Sequence, residues 1–267
     1  MKIWSGAVIG SPVSHSLSPR LHNGAFDYLG LKISYSPIEV KSGELAHFLK
    51  ERGQEFDYLS MTMPLKEEAL SLPVHFDEHC LRIQSVNTLI RRDEQWFASS
   101  TDGPGLLAAL KSAGYKSFEK VLILGAGGTA RAVAGSLGQI ARHISVMGRT
   151  LTRREVIQGC VQGAEFEYIP WSDSYNLHEF DLVVNTTPAG AADSLASSIS
   201  QGEASLLFDV IYKPWPTVLA SRWVDCGGKV LSGLDLLLFQ GVDQIQKIVE
   251  VPDREGLIQH LRKVLAQ

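Results

Sequence analysis

Short runs of β-favouring apolar residues alternate with amphipathic stretches along most of this chain. In its first part, residues 4–9, 33–40 and 56–63 read as strands and 19–29 and 43–52 as helices. Ser18 is placed to cap the first helix, with Pro19 at its first helical position. Residues 88–92 and 96–99 have the pattern of a hairpin closing this part, and 102–114 that of a connecting helix with Asp102 near its start. From Lys120 onward, strands fit at 121–124, 144–147, 166–168, 182–185, 206–210 and 229–231, with helices between several of them. The stretch from about 233 to 267 carries two helical patterns and no strand, so it is free to pack back on the first domain. Strand–helix alternation predicts mostly parallel sheets covered on both faces.

One strand ends in a turn with its own chemistry. Val121-Leu122-Ile123-Leu124 runs into Gly125, Ala126, Gly127, Gly128, Thr129 and Ala130. Gly125 suits a tight turn, Gly127 has no Cβ to block a pyrophosphate, and Ala130 lets the following helix pack close on the strand. Phosphates then sit on backbone N–H groups at the positive end of that helix. A plain β-turn is the alternative account of the glycines, and the next strand adds to the signal for a nucleotide. It ends without an acid for a ribose 2′-hydroxyl and instead gives Arg149, Thr150 and, one turn on, Arg153 and Arg154. A guanidinium can bond a 2′-phosphate bidentately and stack on adenine, which favours NADP(H) over NAD. Asn185 and Thr186, in the loop after the strand at 182–185, are candidate neighbours of the nicotinamide. The expected fold class is α/β, an N-terminal α/β substrate domain plus a Rossmann-type doubly wound dinucleotide-binding domain. The expected boundaries are 1–104 for the first, 105–232 for the second, and 233–267 for helices returning to the first.

Composition narrows the partners. The 267 residues suffice for two modest cores, and a formal net charge of −4 offers no basic field to nucleic acid or anionic lipid. The longest apolar runs, such as Leu236-Leu237-Leu238-Phe239, are too short to span a bilayer. The opening Met1-Lys2-Ile3-Trp4 reads as part of a strand and lacks a secretory apolar region. Cys80, Cys160 and Cys226 lie far apart, which suits free thiols in a reducing cytoplasm. His75 and His79, with Cys80 adjacent, have a spacing that could ligate metal on a helix, but no second ligand cluster accompanies them. A solvated helix or loop is expected there, and no metal.

The first half is rich in hydroxyls, amides and acid–base groups at strand ends: Gly10-Ser11-Pro12-Val13-Ser14-His15-Ser16-Leu17-Ser18-Pro19, Leu21-His22-Asn23, Ser60-Met61-Thr62-Met63-Pro64-Leu65-Lys66, Ser85-Val86-Asn87-Thr88 and Ser100-Thr101-Asp102-Gly103. In this order, ahead of a centrally placed G-x-G-x-x-A turn, they resemble the shikimate dehydrogenase family. Tyr212-Lys213-Pro214-Trp215-Pro216-Thr217 is similar to the family's Y-x-P-x-x-T, and Leu237-Leu238-Phe239-Gln240-Gly241 to its L-x-x-Q-[AG]. The resemblance spans nearly the whole sequence. It implies reduction of 3-dehydroshikimate to shikimate with NADPH, Ser16 and Ser18 with Tyr212 holding the substrate carboxylate, and Thr62, Asn87, Asp102 and Gln240 contacting the ring hydroxyls and Lys66. It makes Lys66 and Asp102 the catalytic pair.

That pairing fits the chemistry, because a developing alkoxide must be stabilised and protonated as it forms. Four positions depart from the family pattern: Ser60 and Ser100 stand where Asn is usual, Leu236 replaces a common Met, and Ala191 follows Gly190 where Met is frequent. The two serines remove amides close to the substrate loops. Three readings stand beside the first: a quinate/shikimate paralogue using NAD, another two-domain dehydrogenase such as those for methylene-tetrahydrofolate, and a non-catalytic NADP(H)-binding redox sensor. The protein is expected to be a cytoplasmic monomer or homodimer acting on a small molecule, with no nucleic-acid or membrane partner.

Overall fold

The computed structural model describes residues 4–202 and 205–266. Met1, Lys2 and Ile3, read above as the start of a strand, lie outside the described residues. The polypeptide divides into two units, Met1–Gly105 with Leu237–Gln267, and Leu106–Leu236.

The first unit contains β1 (Trp4–Gly10), α1 (Ser18–Tyr28), β2 (Ile33–Glu39), α2 (Leu45–Arg52), β3 (Tyr58–Met61), α3 (Leu65–Glu68), β4 (His75–Phe76), α4 (Glu78–Ile83), β5 (Thr88–Arg92), β6 (Gln95–Ser99) and the first turn of α5 (Asp102–Ser112). Its strands form a sheet in the order β2-β1-β3-β5-β6-β4. The sheet is parallel from β2 through β3 and again between β6 and β4, and antiparallel where β5 pairs with β3 and with β6, so it is mostly parallel, as expected. The β5–β6 pair is the expected hairpin, and its two-residue turn puts Asp93 and Glu94 at φ +47° and +65°. Alternate residues Ala7 and Ile9, Leu59 and Met61, and Leu89 of the central strands are fully or almost fully buried against Leu45 and Phe48 of α2. Along the edge strand β2, the Asn23 carboxamide pairs with both backbone groups of Tyr35, at 2.9 and 3.1 Å.

The second unit contains β7 (Phe118–Leu124), α6 (Gly128–Leu137), β8 (Ala141–Gly148), α7 (Arg154–Cys160), β9 (Glu165–Pro170), β10 (Leu182–Asn185), β11 (Leu206–Asp209), α8 (Val218–Asp225) and β12 (Lys229–Leu231). All six strands are parallel, in the order β12-β11-β10-β7-β8-β9. Val121 through Leu124 are fully buried, as parallel strands covered on both faces require. Strand order reverses between β7 and β10, the switch point where such sheets bind ligands. The helix α9 (Gly233–Gln246) crosses the division, and α10 (Arg254–Ala266) belongs to the first unit, where Val264 and Leu261 pack at Gly24 of α1.

Two local expectations need correction. Ser18 is the first residue of α1 and does not cap it; its own N–H donates to Ser16 Oγ at 3.2 Å, and Pro19 falls inside the first turn. Ser18 has already entered the helix, so the hydroxyl two residues earlier takes up the free N–H. Residues 75–83 supply a short strand and helix where only a helix or loop was expected. There Asp77 Oδ1 accepts the Cys80 N–H at 2.7 Å and starts α4. His75 is exposed and bonded to Gln95, His79 faces Arg82, and the three cysteines are buried free thiols. Among the described residues no helix is long and apolar enough to cross a membrane.

His22 makes stability depend on pH. Its ring is fully buried, stacked on Tyr35 at 4.1 Å, with Nδ1 at 3.1 Å from the Tyr58 hydroxyl. Burial pushes the imidazole down to about 3. Between that value and the unfolded value of about 6.5, only the unfolded state binds the proton, so stability falls as pH falls through this window. Between pH 7 and pH 5 the loss from His22 alone is about 2 kcal/mol. Urea unfolding at both pH values should show His22→Phe losing that much less than the wild type. Equal losses would remove His22 as the cause.

Candidate active site

The loops after β1 and β3 are stitched together at the C-terminal ends of their strands. The Thr62 N–H donates to Ile9 O at 3.0 Å and the Ser11 N–H to Met63 O at 3.0 Å. This fixes the segment carrying Ser16 and Ser18 beside the turn carrying Thr62 and Lys66. Ser16 and Thr62 are half-buried and Ser18 is buried.

Lys66, in the first turn of α3, forms an ion pair with Asp102, the first residue of α5. The Lys66 Nζ contacts Asp102 Oδ2, while Asp102 Oδ1 accepts a hydrogen bond from Asn87 Nδ2 at 2.7 Å. The side chains are 17% and 5% exposed, so the pair is shielded but not sealed from solvent. An ammonium with three donors beside a carboxylate held by an amide can both supply a proton and orient a hydroxyl. Asn87 Nδ2 also reaches Thr101 Oγ1 at 3.0 Å and Gln240 Oε1 at 3.4 Å. Gln240 comes from α9, distant in sequence, and Gly105 is what lets it approach: a Cβ there would stand 2.7 Å from the Gln240 backbone nitrogen. Lys66, Asn87, Thr101, Asp102 and Gln240 thus meet within the first unit.

Tyr212 belongs to the second unit, in the segment after β11. Buried Asp209 ties both ends of that segment: Oδ1 accepts the Ile211 N–H at 3.1 Å and Oδ2 the Thr217 hydroxyl at 2.7 Å. Burial raises the Asp209 carboxyl, against these hydrogen bonds and one from Asn185.

The second unit also holds the glycine-rich turn. Gly125 sits at φ +102° at the end of β7, where a Cβ would lie 2.7 Å from Thr186 Oγ1. Gly127 precedes α6 with nothing within 4 Å of where its Cβ would be, and Ala130 is fully buried against the sheet. The first turn of α6, with Gly128 and Thr129, offers backbone N–H groups that the helix itself cannot use. Arg149 and Thr150 are exposed at the end of β8, whereas Arg153 Nη1 donates to Ala126 O at 3.1 Å and braces the turn. An open cradle at a helix N-terminus, with an exposed cation and no acid at the β8 end, fits a phosphorylated dinucleotide. Asn185 is otherwise engaged: it donates to Asp209 at 3.1 Å and accepts from Thr187, while Thr186 Oγ1 donates to Leu124 O at 2.7 Å.

One buried group, Gln244, escaped the sequence reading. Gln244 donates to Asn87 O at 3.1 Å and Thr88 Oγ1 at 2.8 Å, and Thr88 donates to Asn87 Oδ1 at 2.7 Å. The spacing of Gln240 and Gln244, one helical turn apart on a face that must be buried, is the signal that could have found Gln244. Ser60, expected beside the substrate loops, is buried and donates to Gln244 Oε1 at 2.8 Å. Ser100 is also buried, with no hydrogen-bond partner for its hydroxyl among the described residues.

Comparison with known proteins places the chain in a family. The family model for the shikimate dehydrogenase substrate binding domain matches residues 8–89, and that for shikimate / quinate 5-dehydrogenase matches 108–210. The shikimate dehydrogenase (NADP(+)) of Staphylococcus aureus strain MSSA476 is 34% identical over 249 residues, 90% of each chain. Among solved structures, the shikimate 5-dehydrogenase of Thermus thermophilus in complex with NADP(H) and shikimate has a TM-score of 0.84 and 32% identity, covering 98% of this chain and 100% of that one. The ligand-free 5-ketofructose reductase of Gluconobacter sp. strain CHM43 has a TM-score of 0.82 and 26% identity, covering 99% of each chain. Two family matches across both units and a third of all residues shared over nine-tenths of a relative's length establish that this chain belongs to the shikimate dehydrogenase family.

Proposed function

We propose that the protein interconverts 3-dehydroshikimate and shikimate with NADP(H), as an oxidoreductase acting on a secondary alcohol. The observation that carries this reading is the Lys66–Asp102 pair held by Asn87, in a protein whose relatives include an NADP-dependent shikimate dehydrogenase. Bound NADPH supplies the hydride. The protein's own residues do the rest. Lys66 donates a proton to the carbonyl oxygen as that oxygen gains charge, and Asp102 accepts a hydrogen bond that aims the substrate hydroxyl. In the reverse direction Lys66 takes the proton back. Asn87, Gln240 and Thr62 bond ring hydroxyls, and Ser16, Ser18 and Tyr212 bind the carboxylate.

On the cofactor side, Gly125, Ala126, Gly127, Gly128, Thr129 and Ala130 form the pyrophosphate cradle, and Arg149 with Thr150 meets the 2′-phosphate. Arg153 holds the cradle in shape through Ala126. Asn185 and Thr186 shape the loop beside the nicotinamide through their bonds to Asp209 and Leu124 rather than by reaching out. In this reading residues 1–104 bind substrate, 105–232 bind cofactor, and 233–267 return Gln240 to the first domain. The enzyme works in the cytoplasm as a monomer or homodimer, a placement supported by its modest negative charge and by three buried cysteines that form no disulfide.

The test is reduction of NADP⁺ and NAD⁺ with shikimate and with quinate, and oxidation of NADPH with 5-ketofructose. Turnover with shikimate and NADP⁺ is the expected result. Turnover confined to quinate with NAD⁺ or to 5-ketofructose would move the substrate assignment, and cofactor binding without any turnover would make the protein a sensor.

A further inference from the structure

Two backbone groups of fixed polarity set the sense of a buried hydrogen-bond relay that ends on Asp102. The Thr101 N–H, which can only donate, points at Asn87 Oδ1 at 2.9 Å. The Asn87 carbonyl, which can only accept, receives Gln244 Nε2 at 3.1 Å. These two contacts assign oxygen and nitrogen in both side-chain amides. Thr88 stands between them. Its oxygen accepts from Gln244 Nε2 at 2.8 Å, which leaves its single proton for Asn87 Oδ1 at 2.7 Å. Ser60 completes the set by donating to Gln244 Oε1 at 2.8 Å. Every member is at least nine-tenths buried: Gln244 is 1% exposed, Thr88 0%, Asn87 2% and Ser60 5%. Water therefore cannot substitute for a missing partner cheaply.

We infer that Gln244 and Thr88 are positioning residues for the reaction, fixing the direction in which Asn87 presents its amide N–H to Asp102. Were the Asn87 amide to turn over, its oxygen would face the Asp102 carboxylate and its N–H would face the Thr101 N–H. Both contacts would be repulsive. Asp102 would then lose the donor on Oδ1 and swing about its remaining contact with Lys66, carrying both reacting groups off line. Neither Gln244 nor Thr88 need touch substrate for this. Gln244 lies on α9 and bonds Ser60 of β3 and Thr88 of β5, so the direction of Asp102 depends on a helix far away in sequence.

The inference rests on the functional reading above, and its test separates the two. kcat and KM for shikimate and NADP⁺ are measured for Thr88→Val, Gln244→Met and Thr88→Ser, well below each variant's thermal midpoint. Thr88→Val and Gln244→Met should each lose about tenfold in kcat with KM for NADP⁺ unchanged, since small misplacement of reacting groups is costly. Thr88→Ser, which restores the hydroxyl, should stay within about twofold of wild type. The double variant should be no slower than the slower single, because the two act in series. Side-chain amide NMR of Asn87 reads the same relay without turnover, and its resonances should move in Thr88→Val and stay in Thr88→Ser. Wild-type kcat in both Thr88→Val and Gln244→Met, loss in Thr88→Ser equal to that in Thr88→Val, or unmoved Asn87 resonances in Thr88→Val would overturn the inference. Absence of wild-type turnover with shikimate would overturn only the substrate assignment.

Discussion

Lys66→Ala is expected to lower kcat by about 10²- to 10⁴-fold, the range for a positioned acid–base group, with NADP⁺ affinity changed by less than about twofold. The substitution removes the proton donor while leaving Asp102 bonded to Asn87 at 2.7 Å. Lys66 keeps 17% exposure, so solvent can enter the space and hydrate the carboxylate. The fold should survive, and a thermal melt alongside the kinetics checks that it does. Cofactor titration by nicotinamide fluorescence tests the second half of the expectation, because Lys66 and the glycine-rich turn belong to different units. A Lys66→Ala enzyme turning over at near wild-type rates would end its assignment as the acid.

Arg149→Ala should weaken NADP⁺ by about 10- to 100-fold, the equivalent of one charge-assisted, bidentate phosphate contact. NAD⁺, lacking the 2′-phosphate, should bind almost as before. Arg149 is exposed at the end of β8. Arg153 behaves differently because its guanidinium is bonded to Ala126 O within the turn itself. Arg153→Ala is accordingly expected to weaken NADP⁺ and NAD⁺ together. Measured dissociation constants for both cofactors decide the matter, and equal loss of NAD⁺ affinity in Arg149→Ala would show that it acts on the turn and not on the phosphate.

Much of the architecture was legible because apolar runs and amphipathic stretches differ in period. The strands at 88–92, 182–185 and 229–231 match their expected limits, and the β7 turn announced itself through Gly125 and its neighbours. Capping was less legible. Ser18 has the right hydroxyl and the right following proline, yet the helix starts one residue sooner and uses Ser16. The sheet direction around β5 was hidden too, since nothing in a strand's own residues says which neighbour it joins. Lys66 and Asp102 could be paired only through family resemblance, because 36 residues separate them. Gln244 was the hardest. Its partners Asn87 and Thr88 lie 157 and 156 residues away, and a glutamine on a helix reads as solvated until tertiary packing buries it. Ser60 looked like the loss of an amide near substrate, whereas its hydroxyl is spent on that same glutamine.

The split composition of the first unit has a consequence for how the polypeptide is made. Its later pieces, Leu237–Gln267, leave the ribosome after Leu106–Leu236, and they include both glutamines that reach Asn87. Leu106–Leu236 is contiguous and can acquire its structure while translation is still under way. The earlier-synthesised segment must wait, its sheet incompletely covered and in need of protection from association, until the tail emerges. Nascent polypeptides arrested before Leu237 should therefore protect the later-made unit from proteolysis ahead of the earlier one, reversing the usual vectorial order.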